Sequence, residues 1–451
     1  MLKKFFEIAK RAKEAVFITT EGLYVDNKNF KMLLPLKEKV NPDYTGYISA
    51  DNVKAIKPSS IKATEEVLSV QGGFITTDLN NVINYEVDSK QKVKVKFETV
   101  DEKCCVEIAP SFTEFIKQAA PFCANEKEDY REELQQVCVS LDSGTSGIIE
   151  IKASNDFMVY RFKTEIKNEL QYVNDYGIPS AVASKLKDAN IKANEKCMHI
   201  VDGSGLIIQT KPLCNYINTY NLFDYFDYHT EFEIMETQLK ELQTALKSAV
   251  KGDLITLYEN GSLEYIIEDK EKNVKSFGKI DIVSKSRHTN HLAKYDAVFL
   301  RNALNTYENC AVNVKSNKKS TALLLDNNYG TQNLVLPLMN CYTAEEVREM
   351  LDKLNGITVN TESVAAEEKA NTEPETEKTE ESVAAESVNA ETETVNTTDE
   401  IKELIDKYNI RVVKGDTLKA DLNGLTAKEF KETVASRKAE ILAYLNPTVE
   451  F

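Results

Sequence analysis

Few residues in this chain could do chemistry. Leu141-Asp-Ser-Gly-Thr-Ser-Gly147 sets a carboxylate, Asp142, in a Ser- and Gly-rich turn after an apolar run. Such a carboxylate could serve peptide hydrolysis, which needs a second carboxylate to share its proton. No second Asp-Ser/Thr-Gly copy occurs, so two chains would have to supply the pair. The same residues are plain turn chemistry between two strands. His288-Thr-Asn-His291 has the i, i+3 spacing of metal ligands, but no Glu motif or Cys pair accompanies it, and it reads as a solvated loop. No Gly-x-x-x-x-Gly-Lys-Ser/Thr run is present to cradle a nucleotide phosphate. Cysteines 104, 105, 123, 138, 197, 214, 310 and 341 form no CxxC pair and read as reduced thiols. No catalytic residue, metal or cofactor is expected.

The elements around these groups are more informative. Six segments carry apolar side chains at helical spacing. The first is residues 2–16, with Leu2, Phe5, Ala9, Ala12 and Val16 on one face. In the second, Ser49 caps a turn bearing Val53 and Ile56 that Pro58 ends. The third opens at Pro110-Ser111 with Phe112, Phe115, Ile116 and Ala119, and the fourth at Pro179-Ser180 with Val182 and Leu186. The fifth carries Met235, Leu239, Leu242, Leu246 and Ala249 before Gly252, and the sixth Ala297, Leu300, Leu304 and Tyr307. Starts spaced roughly 50–70 residues apart predict an internal structural repeat. Runs at 92–97, 147–152 and 262–267 predict antiparallel strands with one wet face.

Every one of these helices carries cations. They are Lys3, Lys4, Lys10, Arg11 and Lys13 on the first, Lys54 and Lys57 on the second, and Lys117 on the third. Lys185 and Lys187 follow on the fourth, Lys240, Lys247 and Lys251 on the fifth, and Lys294 and Arg301 on the sixth. A single lysine is a common solvated helix residue. Recurrence on all six predicts one cationic surface able to neutralise phosphates without reading bases.

The composition sets the frame. At 451 residues, 42% hydrophobic and 28% charged, the chain has room for about three domains. It shows no apolar run long enough to span a bilayer, and residues 1–16 lack the pattern of a signal peptide, so no membrane association is expected. The net charge of −16 is uneven: residues 357–398 hold 11 Glu and 2 Lys, and residues 399–451 hold ten acidic and nine basic side chains, which leaves the body near −6. Residues 357–398 have no aromatic, Leu or Gly and repeat Glu-Ser-Val-Ala-Ala-Glu at 362–367 and 381–386. That composition predicts a disordered acidic linker.

With these residues in view, the chain resembles the beta-type DNA polymerase sliding clamp, the bacterial and phage processivity ring. Phe299-Leu-Arg-Asn-Ala-Leu304 and Asn333-Leu-Val-Leu-Pro-Leu-Met339 are similar to that family's last helix and terminal strand. Phe115–Ala120, Glu133–Val139 and Ala153-Ser-Asn-Asp156 are similar to the start, the first strand and the Ala-Thr-Asp-Gly turn of its middle domain. Ile178-Pro-Ser180 and Phe223-Asp-Tyr-Phe-Asp-Tyr228 match its Ile-Pro and Phe-Pro-Asp-Tyr segments. The likeness covers about residues 110–342, whereas the first 108 match by unit order and length. Asp156 replaces the turn glycine, no His-Arg follows it, and Met339-Asn340 replace the terminal Arg-Leu.

The resemblance implies an α+β fold of three tandem clamp domains, at 1–108, 109–230 and 231–343, each made of two helix-plus-antiparallel-strands units. It implies a head-to-tail homodimer ring around double-stranded DNA, bound without regard to sequence, in the cytoplasm of a bacterium or a phage-infected host. Lys3, Lys4, Lys10, Arg11, Lys54, Lys57, Lys117, Lys185, Lys240, Lys247 and Arg301 would face the phosphates. Leu134, Ser154, Val159, Leu334, Leu336, Pro337, Leu338 and Met339 would form an apolar cleft for short linear peptides of DNA polymerase and clamp loader. Residues 399–451 follow the linker as a small α/β module, with helices near 401–408 and 427–445 around strands at 410–413 and 417–419. Their order resembles a small docking domain of non-ribosomal peptide synthetases, which implies an unknown protein partner. The alternatives are a dimeric aspartic protease using Asp142 and a clamp-fold interaction protein that does not encircle DNA.

Overall fold

The chain opens on a helix because Leu2, Phe5, Phe6, Ile8 and Ala9 fall on one face and are fully buried there. Each Leu, Ile or Phe among them contributes about 1.5–3 kcal/mol. Helix α1 (Leu2–Ala12) ends before the predicted residue 16, because Lys13 takes a left-handed φ of 57° and a strand starts at Val16. The computed structural model describes residues 1–90, 93–100, 105–125, 131–142, 147–166, 173–213, 216–285, 291–317, 320–338, 342–356, 411–414 and 417–419.

The same arrangement then recurs: a lead strand, a helix and a three-strand meander. The first repeat adds β1 (Val16–Ile18), β2 (Gly22–Asp26) and β3 (Phe30–Pro35) to α1. The second is β4 (Gly46–Ile48), α2 (Ala50–Ala55), β5 (Val67–Gln71), β6 (Phe74–Thr77) and β7 (Val82–Asn84), with β8 (Glu86–Val87) behind it. The third is β9 (Val106–Ile108), α3 (Phe112–Ala119), β10 (Gln136–Asp142), β11 (Ile148–Ser154) and β12 (Met158–Glu165). In the fourth, β13 (Val173–Pro179), α4 (Ser180–Ala183), β14 (Asn190–Asn194), β15 (Cys197–Val201) and β16 (Ile207–Thr210) lead to β17 (Pro212–Leu213) and α5 (Tyr220–Phe223). The fifth holds β18 (Thr230–Ile234), α6 (Glu236–Leu246), β19 (Leu254–Glu259), β20 (Ser262–Glu268), β21 (Val274–Asp281) and β22 (Val283–Ser284). The sixth is β23 (Leu292–Asp296), α7 (Ala297–Leu304), β24 (Val312–Ser316), β25 (Leu323–Asp326) and β26 (Thr331–Val335).

Two rules govern the pairing, which is antiparallel throughout. Neighbouring repeats exchange lead strands: β4 pairs with β1, β13 with β10, β23 with β19, β9 with β14 and β18 with β24. Last meander strands join distant repeats: β3 pairs with β16 and β12 with β26, which makes sheets of nine and ten strands. The helices form a row, α2 against α1, α1 against α4, α4 against α3, α7 against the 3-10 turn Ala120–Phe122 that continues α3, and α6 against α7. One large apolar core fills the space between that row and the sheets.

Several expectations are corrected. Residues 93–100 of the predicted strand at 92–97 form no ladder: Phe97 packs edge-on against Tyr24 and His199, and the Gln209 amide takes both hydrogen bonds of the Glu98 backbone. Lys294, read as a helix cation, lies in β23, buried and 2.8 Å from Glu268. His291 is not solvated; its ring lies between the Tyr295 hydroxyl at 3.0 Å and the Ser316 hydroxyl at 2.7 Å, and burial lowers its pKa to about 4. His288 lies outside the described residues.

The sequence reading also missed a helix, α8 (Ala344–Leu354), whose Thr343 and Glu346 form a reciprocal capping box. Its Val347 and Leu351 cover Tyr258 and Ile266 on the outer face of β19 and β20. Beside them the Tyr342 hydroxyl bonds Glu268 at 2.8 Å, and the Lys294 ammonium sits 4.2 Å from the Tyr342 ring centroid.

Residues 362–451 separate as a second compact unit. Its described part is a hairpin of β27 (Arg411–Lys414) and β28 (Thr417–Lys419), at the predicted strand positions. The linker 357–398 and both predicted helices of the module lie outside the described residues.

Candidate partner groove and helix face

The junction of β12 and β26 builds the most distinctive surface. Strand alternation sends Met158 and Tyr160 into the main core and Val159 to the outer face. There Val159 meets Leu334 of β26, Leu324 of β25, Ala322 and Phe223 of α5 in a separate apolar cluster, with Ile217 and Phe226 packed at its side. Beyond β26, Leu336 and Leu338 are 37% and 38% exposed. Hydrogen bonds from Leu336 N to Phe157 O at 2.9 Å and from Leu338 N to Lys294 O at 2.7 Å fix this segment.

A buried charge holds the opposite wall. Arg161 of β12, 3% exposed, reaches the Asp224 carboxylate with two nitrogens at 2.8 and 2.9 Å. It also bonds Gln332 of β26 at 3.0 Å and lies 4.5 Å from the Phe223 ring centroid. The hydrogen bond from Arg161 lowers the Asp224 pKa. Thr219 donates to Glu150 at 2.8 Å, so two polar ties bind the α5 segment to the sheet.

Of the predicted cleft residues, Val159 and Leu334 share the cluster, whereas Leu336, Pro337 and Leu338 follow β26 and are not among the side chains packed in it. Ser154 is buried and accepts from Asp156 N at 3.1 Å in the β11–β12 turn. Asp156 has a φ of 72°, the left-handed geometry a turn glycine would take. Leu134 is buried in a 3-10 turn, outside the cluster. Met339 lies outside the described residues. The sequence reading did not assign Phe223, Phe226, Ile217, Ala322 and Leu324 to the cleft; the 223–228 match was the signal available.

The predicted cations lie along the helix row in three kinds of setting. Lys4 is 2.5 Å from the fully buried Asp202 carboxylate, Lys10 bonds Ile56 O at 2.9 Å, Arg301 bonds Ala249 O at 2.5 Å, and Arg11 reaches Ser184 at 3.3 Å. These four stitch the structure together. Lys54, Lys117, Lys185 and Lys240 pair with Asp51, Glu114, Glu7 and Glu236 at 2.6–2.8 Å. Lys3, Lys57 and Lys247 make no ion pair among the described residues. Lys240, Lys247 and Arg301 line one hollow of about 620 Å³ between α6 and α7.

Asp142 ends β10 opposite Ile148 of β11, in the hairpin that its turn chemistry implied; residues 143–146 lie outside the described residues. The described residues hold no metal-ligand cluster and no helix long and apolar enough to cross a membrane.

A row of helices backed by sheets that run across repeat boundaries defines the sliding-clamp fold, and the solved structures agree. A DNA polymerase III beta subunit from Eubacterium rectale superposes with a TM-score of 0.54 at 12% identity, over 75% of this chain and 97% of that one. The DNA polymerase sliding clamp of Bacillus subtilis gives 0.52 at 13% identity, over 74% and 97%. The sliding clamp of Bartonella birtlesii bound to griselimycin gives 0.54 at 11%, over 74% and 97%. No family model matches the chain, and no curated protein matches it by sequence. At these identities the likeness establishes the fold alone.

Proposed function

We propose that this chain is a non-enzymatic, cytoplasmic processivity factor, made of three tandem clamp domains at 1–108, 109–230 and 231–343, that closes into a ring around duplex DNA. The carrying observation is the pairing rule for last meander strands. β3–β16 and β12–β26 are satisfied within the chain, whereas β21 and β7 are edge strands of their sheets. The same pairing between β21 of one copy and β7 of the next closes two copies head to tail. Phe277 on β21 and Val82 on β7, 36% and 57% exposed, would be covered there. Lys3, Lys57, Lys247 and the α6–α7 hollow would then meet phosphates, and lysine suits sliding because its point charge fixes no register. The Val159–Leu334–Phe223 groove would seat short peptides of polymerase and loader, with Leu336 and Leu338 as contact rim.

Negative-stain imaging of the purified protein near physiological salt tests the ring. Closed particles with a central hole support it, and solid monomers at high concentration would sink it. Phe277→Asp is expected to abolish rings while leaving the fold intact. Retention on closed circular DNA, lost when the circle is cut, distinguishes encircling from surface binding; equal retention on both forms favours a clamp-fold protein that does not encircle DNA. Asp142→Asn is expected to change none of these readouts.

A further inference from the structure

The alternation at 93–97 serves a sheet face rather than a ladder. Val93, Val95 and Phe97 are half-buried, whereas Lys94, Lys96 and Glu98 are exposed. The segment lies on the outer face of the β3–β16 junction. There Lys31 pairs with Gln209 and Gln209 with His199, and the strand neighbours of Lys31 and His199 belong to the main core. Tyr24 alternates with the core residues Leu23 and Val25 in the same way. These four side chains hold the segment. The Lys31 ammonium donates to Lys96 O at 2.8 Å, and the Phe97 ring lies edge-on to Tyr24 and His199, with centroids 6.1 and 5.9 Å away. The Gln209 amide, 4% exposed, accepts from Glu98 N and donates to Glu98 O, both at 2.8 Å. A buried amide that spends its donor and its acceptor on main chain recognises extended backbone, whatever the side chain there. Lys31 and Gln209 hold the strand positions that Val159 and Leu334 hold at the β12–β26 junction, second from the start of one strand and from the end of the other. One junction carries an apolar cluster there, the other a polar clasp.

We propose that this face is a peptide-binding site whose built-in occupant is residues 93–98, and that an extended segment of a partner protein exchanges with it. The occupant defines the partner. It carries apolar side chains at alternate positions, the third of them aromatic to enter between Tyr24 and His199, and then a residue other than proline for Gln209. The intervening side chains are exposed and set no requirement. Among the described residues no strand pairing joins the segment to a sheet, so its release breaks no ladder. A tethered occupant competes at an effective concentration on the order of millimolar, so a free peptide enters readily only when the tethered one is weakened. The site stands on the β3–β16 face alone and needs neither the ring nor the Val159–Leu334 groove.

The test uses the full-length chain and a fluorescent peptide copying residues 93–99, Val-Lys-Val-Lys-Phe-Glu-Thr. By anisotropy, the Phe97→Ala chain is expected to bind it saturably and at least tenfold tighter than the unchanged chain, because the tethered competitor has lost its anchor. A peptide with Ala at the position of Phe97, or Gln209→Leu added to the Phe97→Ala chain, is expected to weaken that binding at least tenfold. The peptide change leaves the protein untouched, so it separates recognition from any folding defect. Hydrogen exchange in the unchanged chain is expected to be faster at residues 93–98 than in β3 and β16. Three results would overturn the proposal: no saturable binding to Phe97→Ala, binding indifferent to the aromatic residue of the peptide, or exchange at 93–98 as slow as in the ladder. Binding that Leu336→Asp abolishes would overturn it too, because the peptide would then sit in the Val159–Leu334 groove.

Discussion

At the scale of single residues, burial decides what a titratable side chain does. His291 is neutral in the fold and binds a proton only near pH 4, against the ordinary 6.5. Between those values the unfolded chain holds the proton and the folded chain does not, so stability falls as pH drops through that window. The two-and-a-half-unit gap corresponds to roughly 3 kcal/mol. Urea unfolding at pH 7 and pH 4.5 is expected to show that loss, and His291→Asn to remove most of it. The lysines divide in the same way. Lys4→Met leaves the buried Asp202 without its cation and is expected to cost about 3 kcal/mol in chemical denaturation. Lys3→Ala, Lys57→Ala and Lys247→Ala together are expected to leave stability within about 0.5 kcal/mol but to flatten the salt dependence of DNA retention. A sequence gives the position of a cation on a helix, but not whether an aspartate nearly two hundred residues away will claim it.

Among the elements, what was legible followed from period and caps. The six helices were marked by apolar spacing and by Ser49 and the Pro-Ser starts, and all six form, although α4 is only Ser180–Ala183. The strand at 92–97 misled because its alternation is genuine, yet its groups are satisfied by a side chain, Gln209, that local pattern cannot foresee. The groove was half legible: Val159 and Leu334 follow from the resemblance, but Phe223 joins them only because Arg161 ties Asp224 down. Asp224→Ala is therefore expected to weaken peptide capture by the groove, while the exposed-rim change Leu336→Asp should do the same with stability nearly unchanged; thermal melts beside peptide titrations separate the two. For α8, Leu351→Ala is expected to cost about 2–3 kcal/mol and to raise hydrogen exchange in β19 and β20, since it opens the cover over Tyr258 and Ile266.

For the whole molecule, the open edges matter most. A ring that buries β21 against β7 gains stability by mass action, so the melting temperature is expected to rise with protein concentration and to stop rising in Phe277→Asp. The uneven charge has a related effect. Most of the −16 lies outside the body, but the body itself stays near −6, so the DNA attraction that the proposed function needs is expected to rest on local cations such as Lys3, Lys57 and Lys247 rather than on net charge.

The path of the chain beyond β26 gives the molecule a mechanical property. Leu336 and Leu338 are pinned through main-chain bonds, Tyr342 is tied to Glu268 and Lys294, and α8 is pressed along its length onto the sheet. A pull applied at Gly356 therefore meets α8 first, and then the Tyr342 tie, before any tension reaches the rim of the groove. Tension entering through Gly356 is therefore expected to load α8 before the Val159–Leu334 cluster, so that α8 acts as the strain relief.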